Sequence, residues 1–347
     1  MVAPLLTTAR GAVLDTLLAD SRRFSVEFGP TLANHLPMVL VALTRLGASD
    51  QRLRQYYAFY RDTNRLRPVP GDGGRIGRDN WREHRGERSL EGDYRAFFAG
   101  EVGRLGAAAA ERAYLPDLVT GVGASALHAL MRLAYAEMTA SEAEIGLALG
   151  YWAATYLPLA PSGGAAPVTD DPAAVLLRLR DCPGLLEIEP ETDLLWHAIR
   201  AVGRDPRFAP VIDWLAIDET TLARMAGASL VLLAATMDFC AVHAVTGSHW
   251  IRLIPADRVD RALLIRHFWQ AIAAVYPKMG LPALPDADTV AAMRQAPCPP
   301  WPEIAAAACA SDDEHDHSLV FSAWQEEEAY GDPLYRRVAA RRVGLIA

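Results

Sequence analysis

The twenty residues from Ala226 to Val245 are almost all apolar, and no other stretch of the chain constrains its fold as strongly. A helix that is apolar on every side must be surrounded, either by lipid or by other helices. Asp238 and His243 lie inside the stretch, and ionisable groups are expensive in hydrocarbon. The sequence therefore predicts a buried core helix at the centre of a helical protein, with no membrane as partner.

The rest of the chain fits around such a helix. Ala and Leu are heavily used and β-branched runs are short, which favours helices. Asn34-His35-Leu36-Pro37 opens a helix running to about Leu46, with Asn34 as N-cap and the proline tolerated in the first turn. Ser49-Asp50 caps the next, whose stripe Leu53, Tyr56, Tyr57 and Tyr60 has the spacing of a core face. Asp117 to Met138 reads as one helix entered through Gly121 and Gly123, carrying His128 and Arg132 on one face. Ser141 precedes Glu144 by three, a capping pattern that starts a helix to Leu157 and makes an αα-hairpin with its predecessor. Further helices are expected near Ala174–Arg180, Thr192–Val202, Thr221–Val245, Arg258–Val275, Asp288–Arg294 and Asp312–Tyr330. No useful strand alternation and no internal repeat appear.

Two segments lack any period. Residues 65–88 hold Pro68, Pro70 and five glycines, and read as a long loop that is a candidate lid. Residues 158–172 hold four prolines and two adjacent glycines. Histidines of interest fall on both sides of this connection, so residues 1–347 read as one large all-α, multi-helix domain.

Charge and cysteine usage exclude several functions. The net charge is −8 with no basic block, so the footprint of a nucleic-acid binder is missing. Cys182, Cys240, Cys298 and Cys309 show no CxxC spacing and read as reduced thiols. Met1 to Phe24 carries Arg10, Asp15 and Asp20, which a secretory apolar segment would exclude, so a cytoplasmic protein is expected. Lys278 is the only lysine. There is no GxGxxG after a strand, P-loop, GxSxG elbow or HExxH, so any chemistry must come from dispersed residues.

Histidine is the residue type that offers such chemistry. His35 sits at a helix entrance, and His128 and His243 sit in helices that otherwise read as core. A buried imidazole needs a partner at each nitrogen, since an unmet polar group costs about 1–3 kcal/mol. A metal is one such partner and a backbone carbonyl another. His243 and His249 are six apart and His315 and His317 two apart, so on continuous helices the members of each pair face different ways and at most one of each is expected as a ligand, unless Thr246-Gly247 ends the first helix; His243 and His315 are chosen. His84, His197 and His267 are expected at the surface.

Phe28-Gly29-Pro30-x-x-Ala33-Asn34-His35-Leu36-Pro37 with Leu46-Gly47-Ala48-Ser49 resembles the start of the questin oxidase-like proteins. Leu118 to Glu137, Val242-His243-Ala244-Val245-Thr246, Asp312-Asp313-Glu314-His315 and Gly331-Asp332-Pro333 continue the pattern in order. The resemblance implies an all-helical oxygenase opening or oxidising a ring of an anthraquinone-like polycyclic aromatic polyketide with O₂, in some members with NADPH. It implies Fe(II), or another divalent metal, held by His35, His128, His243 and His315. A lysine expected about one turn after the last histidine is replaced by Ser318, too short to reach a metal. A water or a carboxylate such as Glu314, Asp313 or Asp238 is then needed, unless the fold brings Lys278 close. Tyr57, Tyr60, Trp81 and Phe98 are candidate substrate contacts, and Arg132 and Arg252 candidate anion partners. A metal-free, NADPH-dependent Baeyer–Villiger-type oxygenase and a non-catalytic binder of aromatic ligands are the alternative readings.

Overall fold

A computed structural model describes residues 11–347. Of the N-terminal segment read above, residues 1–10, Arg10 among them, lie outside the described residues. Sixteen α-helices and one two-stranded hairpin are present among the described residues, so the chain is all-α as expected. In chain order they are α1 (Ala12–Ser21), β1 (Glu27–Phe28), β2 (Leu32–Ala33), α2 (Leu36–Arg45), α3 (Asp50–Thr63), α4 (Glu91–Leu105), α5 (Ala107–Leu118) and α6 (His128–Thr139). Then follow α7 (Glu142–Thr155), α8 (Pro172–Leu179), α9 (Leu195–Gly203), α10 (Thr221–Thr236), α11 (Phe239–Leu253) and α12 (Arg261–Val275). The chain closes with α13 (Ala287–Gln295), α14 (Trp301–Ala310), α15 (Glu314–Tyr330) and α16 (Leu334–Arg342). None is long and apolar enough to cross a membrane.

The chain divides into two compact units. The first takes the chain up to Val69, then Leu230–Met237 and Pro285–Ala347. Its core is α2, buried continuously from Leu36 to Leu43, packed on α1, α3 and α15, with α14 and α16 against α15. The second takes Pro70–Ser229 and Asp238–Leu284, and is built on α4 against α7, α7 against α6, α6 against α11, and α12 against α9 and α11. The 158–172 connection runs inside this second unit without helix, apart from the first residue of α8 at Pro172. Burying each large aliphatic side chain contributes about 1.5–3 kcal/mol, so the continuous apolar faces of α2 and α11 hold these helices inside.

Several local expectations hold. Ser49 Oγ accepts from the Arg52 N–H at 3.2 Å and caps α3. Ser141 Oγ accepts from the Glu144 N–H at 3.4 Å and caps α7, which forms the expected hairpin with α6. Leu53, Tyr56, Tyr57 and Tyr60 are buried along α3.

Other expectations are corrected. The apolar stretch Ala226–Val245 is two helices, because Met237 adopts a left-handed φ of 47° and Asp238 caps a new helix, its Oδ1 accepting from the Cys240 N–H at 2.7 Å. Asp117–Met138 is also not one helix: α5 ends at Leu118, a 3₁₀ turn spans Val119–Gly121, and α6 begins only at His128. The helices α4, α5, α14 and α16 and the short hairpin were not expected from periodicity. His197 and His267 are buried, with 7% and 8% of their surface exposed, and burial lowers the pKa of both.

Residues 66–87 have no helix or strand, as expected of a loop. The part within the second unit is pinned: Asp93 on α4 accepts from the N–H groups of Gly73 at 3.1 Å and Arg75 at 2.7 Å. Gly92 lets the loop approach, since a Cβ there would sit 2.3 Å from the Pro70 carbonyl oxygen. Trp81 is buried between Phe98, at 5.8 Å between ring centroids, and Tyr114, at 5.1 Å.

Candidate functional site

In the first unit the segment around Asn34 builds a seat for His35. The hairpin turns through Gly29 and Thr31, and Asn34 then reaches both ways: its Nδ2 donates to the Ser25 carbonyl at 2.9 Å and its Oδ1 accepts from the Leu36 N–H at 3.1 Å. His35, and not Asn34 as expected, occupies the N-cap position of α2 and is 5% exposed. Its backbone N–H donates to the Tyr60 hydroxyl at 3.0 Å, and its Nδ1–H donates to the Ala33 carbonyl at 2.9 Å. Burial, with the Glu314 charge nearby, pushes the Tyr60 phenol well above its usual pKa.

His315 comes from α15, one residue into the helix that Asp313 caps. Asp313 Oδ1 accepts from the His315 backbone N–H at 2.8 Å and lies 3.2 Å from its Nδ1. Hydrogen bonding to His315 holds the Asp313 carboxyl far below its usual range, and Arg342 pairs with it at 2.6 Å. The rings of His35 and His315 lie 5.1 Å apart, and Glu314 Oε1 is 4.0 Å from His35 Nδ1. Donor atoms of Asp313, Glu314 and His315 all lie within 4.8 Å of one another. Ser318 is buried one turn further along α15.

The second unit holds the other pair. His128 opens α6 and His243 lies in the first half of α11, 7% and 3% exposed, with ring centroids 5.5 Å apart. The Nδ1–H of His128 donates to the Ser125 carbonyl at 2.5 Å, and that of His243 to the Phe239 carbonyl at 3.2 Å. The turn ahead of His128 is unusual, because Ser125, Ala126 and Leu127 have φ of 45°, 55° and 72°. Left-handed backbone at a residue with a Cβ costs about 1–2 kcal/mol each time.

One arrangement is thus repeated four times. A carbonyl or carboxylate can only accept, so each Nδ1 carries the proton and, in the neutral ring, each Nε2 presents its lone pair. Histidines that bind metals are held in this way, with the outward N–H fixed on a carbonyl or carboxylate. Imidazoles held in this way suit a borderline metal such as iron. His317 is held the other way round: its Nε2–H donates to the Ser311 carbonyl at 2.9 Å, and burial pushes its pKa down to about 4. His249 is fully buried on the same continuous helix as His243. His84 pairs with Glu87 at 2.9 Å in the loop.

The remaining candidates are dispersed. Tyr57 donates to Asp20, and Phe98 and Trp81 share the aromatic cluster on α4 and the loop. Arg132 is buried against Glu144 at 2.7 Å, so its charge is already matched within the protein. Arg252 is half-buried in the last turn of α11, and Lys278 lies 3.9 Å from Asp193. Asp238 serves as the N-cap of α11. The roles of Tyr60 and Asp313 as holders of His35 and His315 were not visible in the sequence, although an acidic N-cap two residues before a histidine was a usable signal.

Comparison with protein families matches residues 32–321 to the family described as Questin oxidase-like. The chain belongs to the questin oxidase-like family. The matched span contains His35, His128, His243 and His315, and both units contribute to it. Membership makes this questin oxidase-like chain an oxidoreductase of the oxygenase kind, acting on a small molecule of polyketide metabolism. No curated protein matches the chain.

Proposed function

We propose that the chain is an oxygenase that opens or oxidises a ring of a polycyclic aromatic polyketide with O₂, using iron held by His35, His128, His243 and His315. The observation that supports this reading most is the common tautomer of the four histidines, each with Nδ1 tied to an oxygen of its own segment. Iron, when bound, would supply the means of activating O₂. The protein's own residues hold the rings: Ala33, Ser125 and Phe239 through carbonyls, Asp313 through its carboxylate, and Tyr60 through the backbone of His35.

Four neutral imidazoles bring no negative charge, so an anionic partner is favoured. Glu314, beside His35 and adjacent in sequence to His315, is the carboxylate we assign to that role in place of the short Ser318. Phenolate oxygens of the substrate carry the same sign and would be received for the same reason.

Oxygen uptake by Fe(II)-reconstituted protein in the presence of a hydroxyanthraquinone tests the proposal. The expected result is uptake matched to a product heavier by two oxygen atoms, since insertion of one alone would need a two-electron reductant that the mixture lacks. Binding of the dye without uptake would replace the proposal with a ligand-binding role, and uptake by metal-free protein that requires NADPH would replace the iron.

A further inference from the structure

Among the described residues, Ser125, Ala126 and Leu127 are the only consecutive non-glycine residues with positive φ. All three are buried, at 2%, 5% and 0% exposure, directly before His128. Ala126 and Leu127 are good helix formers and left-handed backbone is costly for all three residues, so something must hold them in it.

The surroundings show what does. The Trp152 Nε1–H donates to the Gly121 carbonyl at 3.2 Å, and Val122 pairs with Leu157 as a parallel bridge. Gly121 and Gly123 are wedged in place: a Cβ on the first would meet the Tyr156 ring at 2.1 Å, and one on the second the Leu157 carbonyl oxygen at 3.1 Å. From this clamp the chain turns left-handed, with the Ala126 N–H on the Gly123 carbonyl at 3.0 Å and the His128 N–H on the Ser125 carbonyl at 3.3 Å. That same Ser125 carbonyl takes the His128 Nδ1–H. In right-handed helix the corresponding contact reaches the carbonyl four residues back, as His243 does to Phe239, whereas here the left-handed turn brings the carbonyl three residues back to both the N–H and the Nδ1–H of His128.

We propose that the left-handed turn Ser125–Ala126–Leu127 is a positioning device for His128, in which strained backbone aims the Ser125 carbonyl at Nδ1 and so fixes the tautomer of the ring. Ser125, Ala126 and Leu127 are positioning residues, acting through His128. The inference deepens the oxygenase reading, on which its consequence for metal binding rests; its consequence for the tautomer does not depend on that reading.

Trp152→Phe and Ala126→Gly test the device together. Trp152→Phe removes the Nε1–H that holds the Gly121 carbonyl and so loosens the clamp, whereas glycine at 126 accepts the left-handed backbone without strain and leaves the clamp in place. The readouts are the imidazole nitrogen-15 shifts of His128 in metal-free, histidine-labelled protein, assigned by their loss in His128→Ala, together with the thermal midpoint and the Co(II) dissociation constant. Wild type should show the Nδ1–H tautomer. Ala126→Gly should keep that tautomer and keep or raise the thermal midpoint. Trp152→Phe should move His128 towards a mixture of tautomers and weaken Co(II) binding by about tenfold or more, as loss of an outer hydrogen bond to a ligand does. A folded Trp152→Phe that keeps the wild-type tautomer, or a fall in the thermal midpoint of Ala126→Gly, overturns the device. Wild type that takes up no Co(II) overturns the metal reading instead, and the tautomer comparison then decides the turn alone.

Discussion

Ser49 and Ser141 each cap a helix at a position that the sequence displays openly, because a short polar side chain at a helix entrance has few other uses. Other residues give no such signal. Glu111 on α5 looks like one more surface carboxylate, yet it is fully buried, with Arg258 at 3.2 Å. Burial, reinforced by Glu137 beside it, pushes its carboxyl up to about 9. Below about pH 4.5 the folded and unfolded states both hold this proton. As the pH rises, the unfolded chain releases it first, so stability present below pH 4.5 is lost progressively towards pH 9. Glu111→Gln removes that loss. It should raise the unfolding free energy at pH 8 by on the order of 2 kcal/mol and leave it nearly unchanged at pH 5. Urea titrations at the two pH values check this, and equal effects at both would contradict it.

At the scale of elements, periodicity shows that a segment is helical more readily than where it stops. Ala226–Val245 carries an unbroken apolar pattern across Met237 and Asp238, where the chain ends one helix and caps another. Only Asp238 marked the break, and an acidic residue within an apolar run also reads as a functional group. The turn before His128 was hidden for the opposite reason: its residues are good helix formers, overridden by the clamp from Trp152 to Leu157. The cap at Asp238 has a measurable worth. Asp238→Ala should lower stability by about 1 kcal/mol, read as a shift in the urea midpoint without change in slope. No shift would mean that the start of α11 is held by its packing alone.

For the molecule as a whole, the all-α class follows from composition and period, and the histidines stood out because imidazole is costly in apolar helices. The sequence could not show that His35 lies beside His315, or His128 beside His243, since each pair joins segments far apart in the chain. It also could not show that all four rings share one tautomer, which depends on where carbonyls point. That shared tautomer supports the central claim that the four histidines are ligands of iron. The direct test is the iron content of protein purified without chelator or nickel, and then loaded with Fe(II) under anaerobic conditions. It should be measured alongside His315→Ala from the first unit and His128→Ala from the second. The account predicts close to one iron per chain in the wild type and loss of most of it in both variants. A wild type that stays free of iron after loading, or a variant that keeps its full iron, would contradict it.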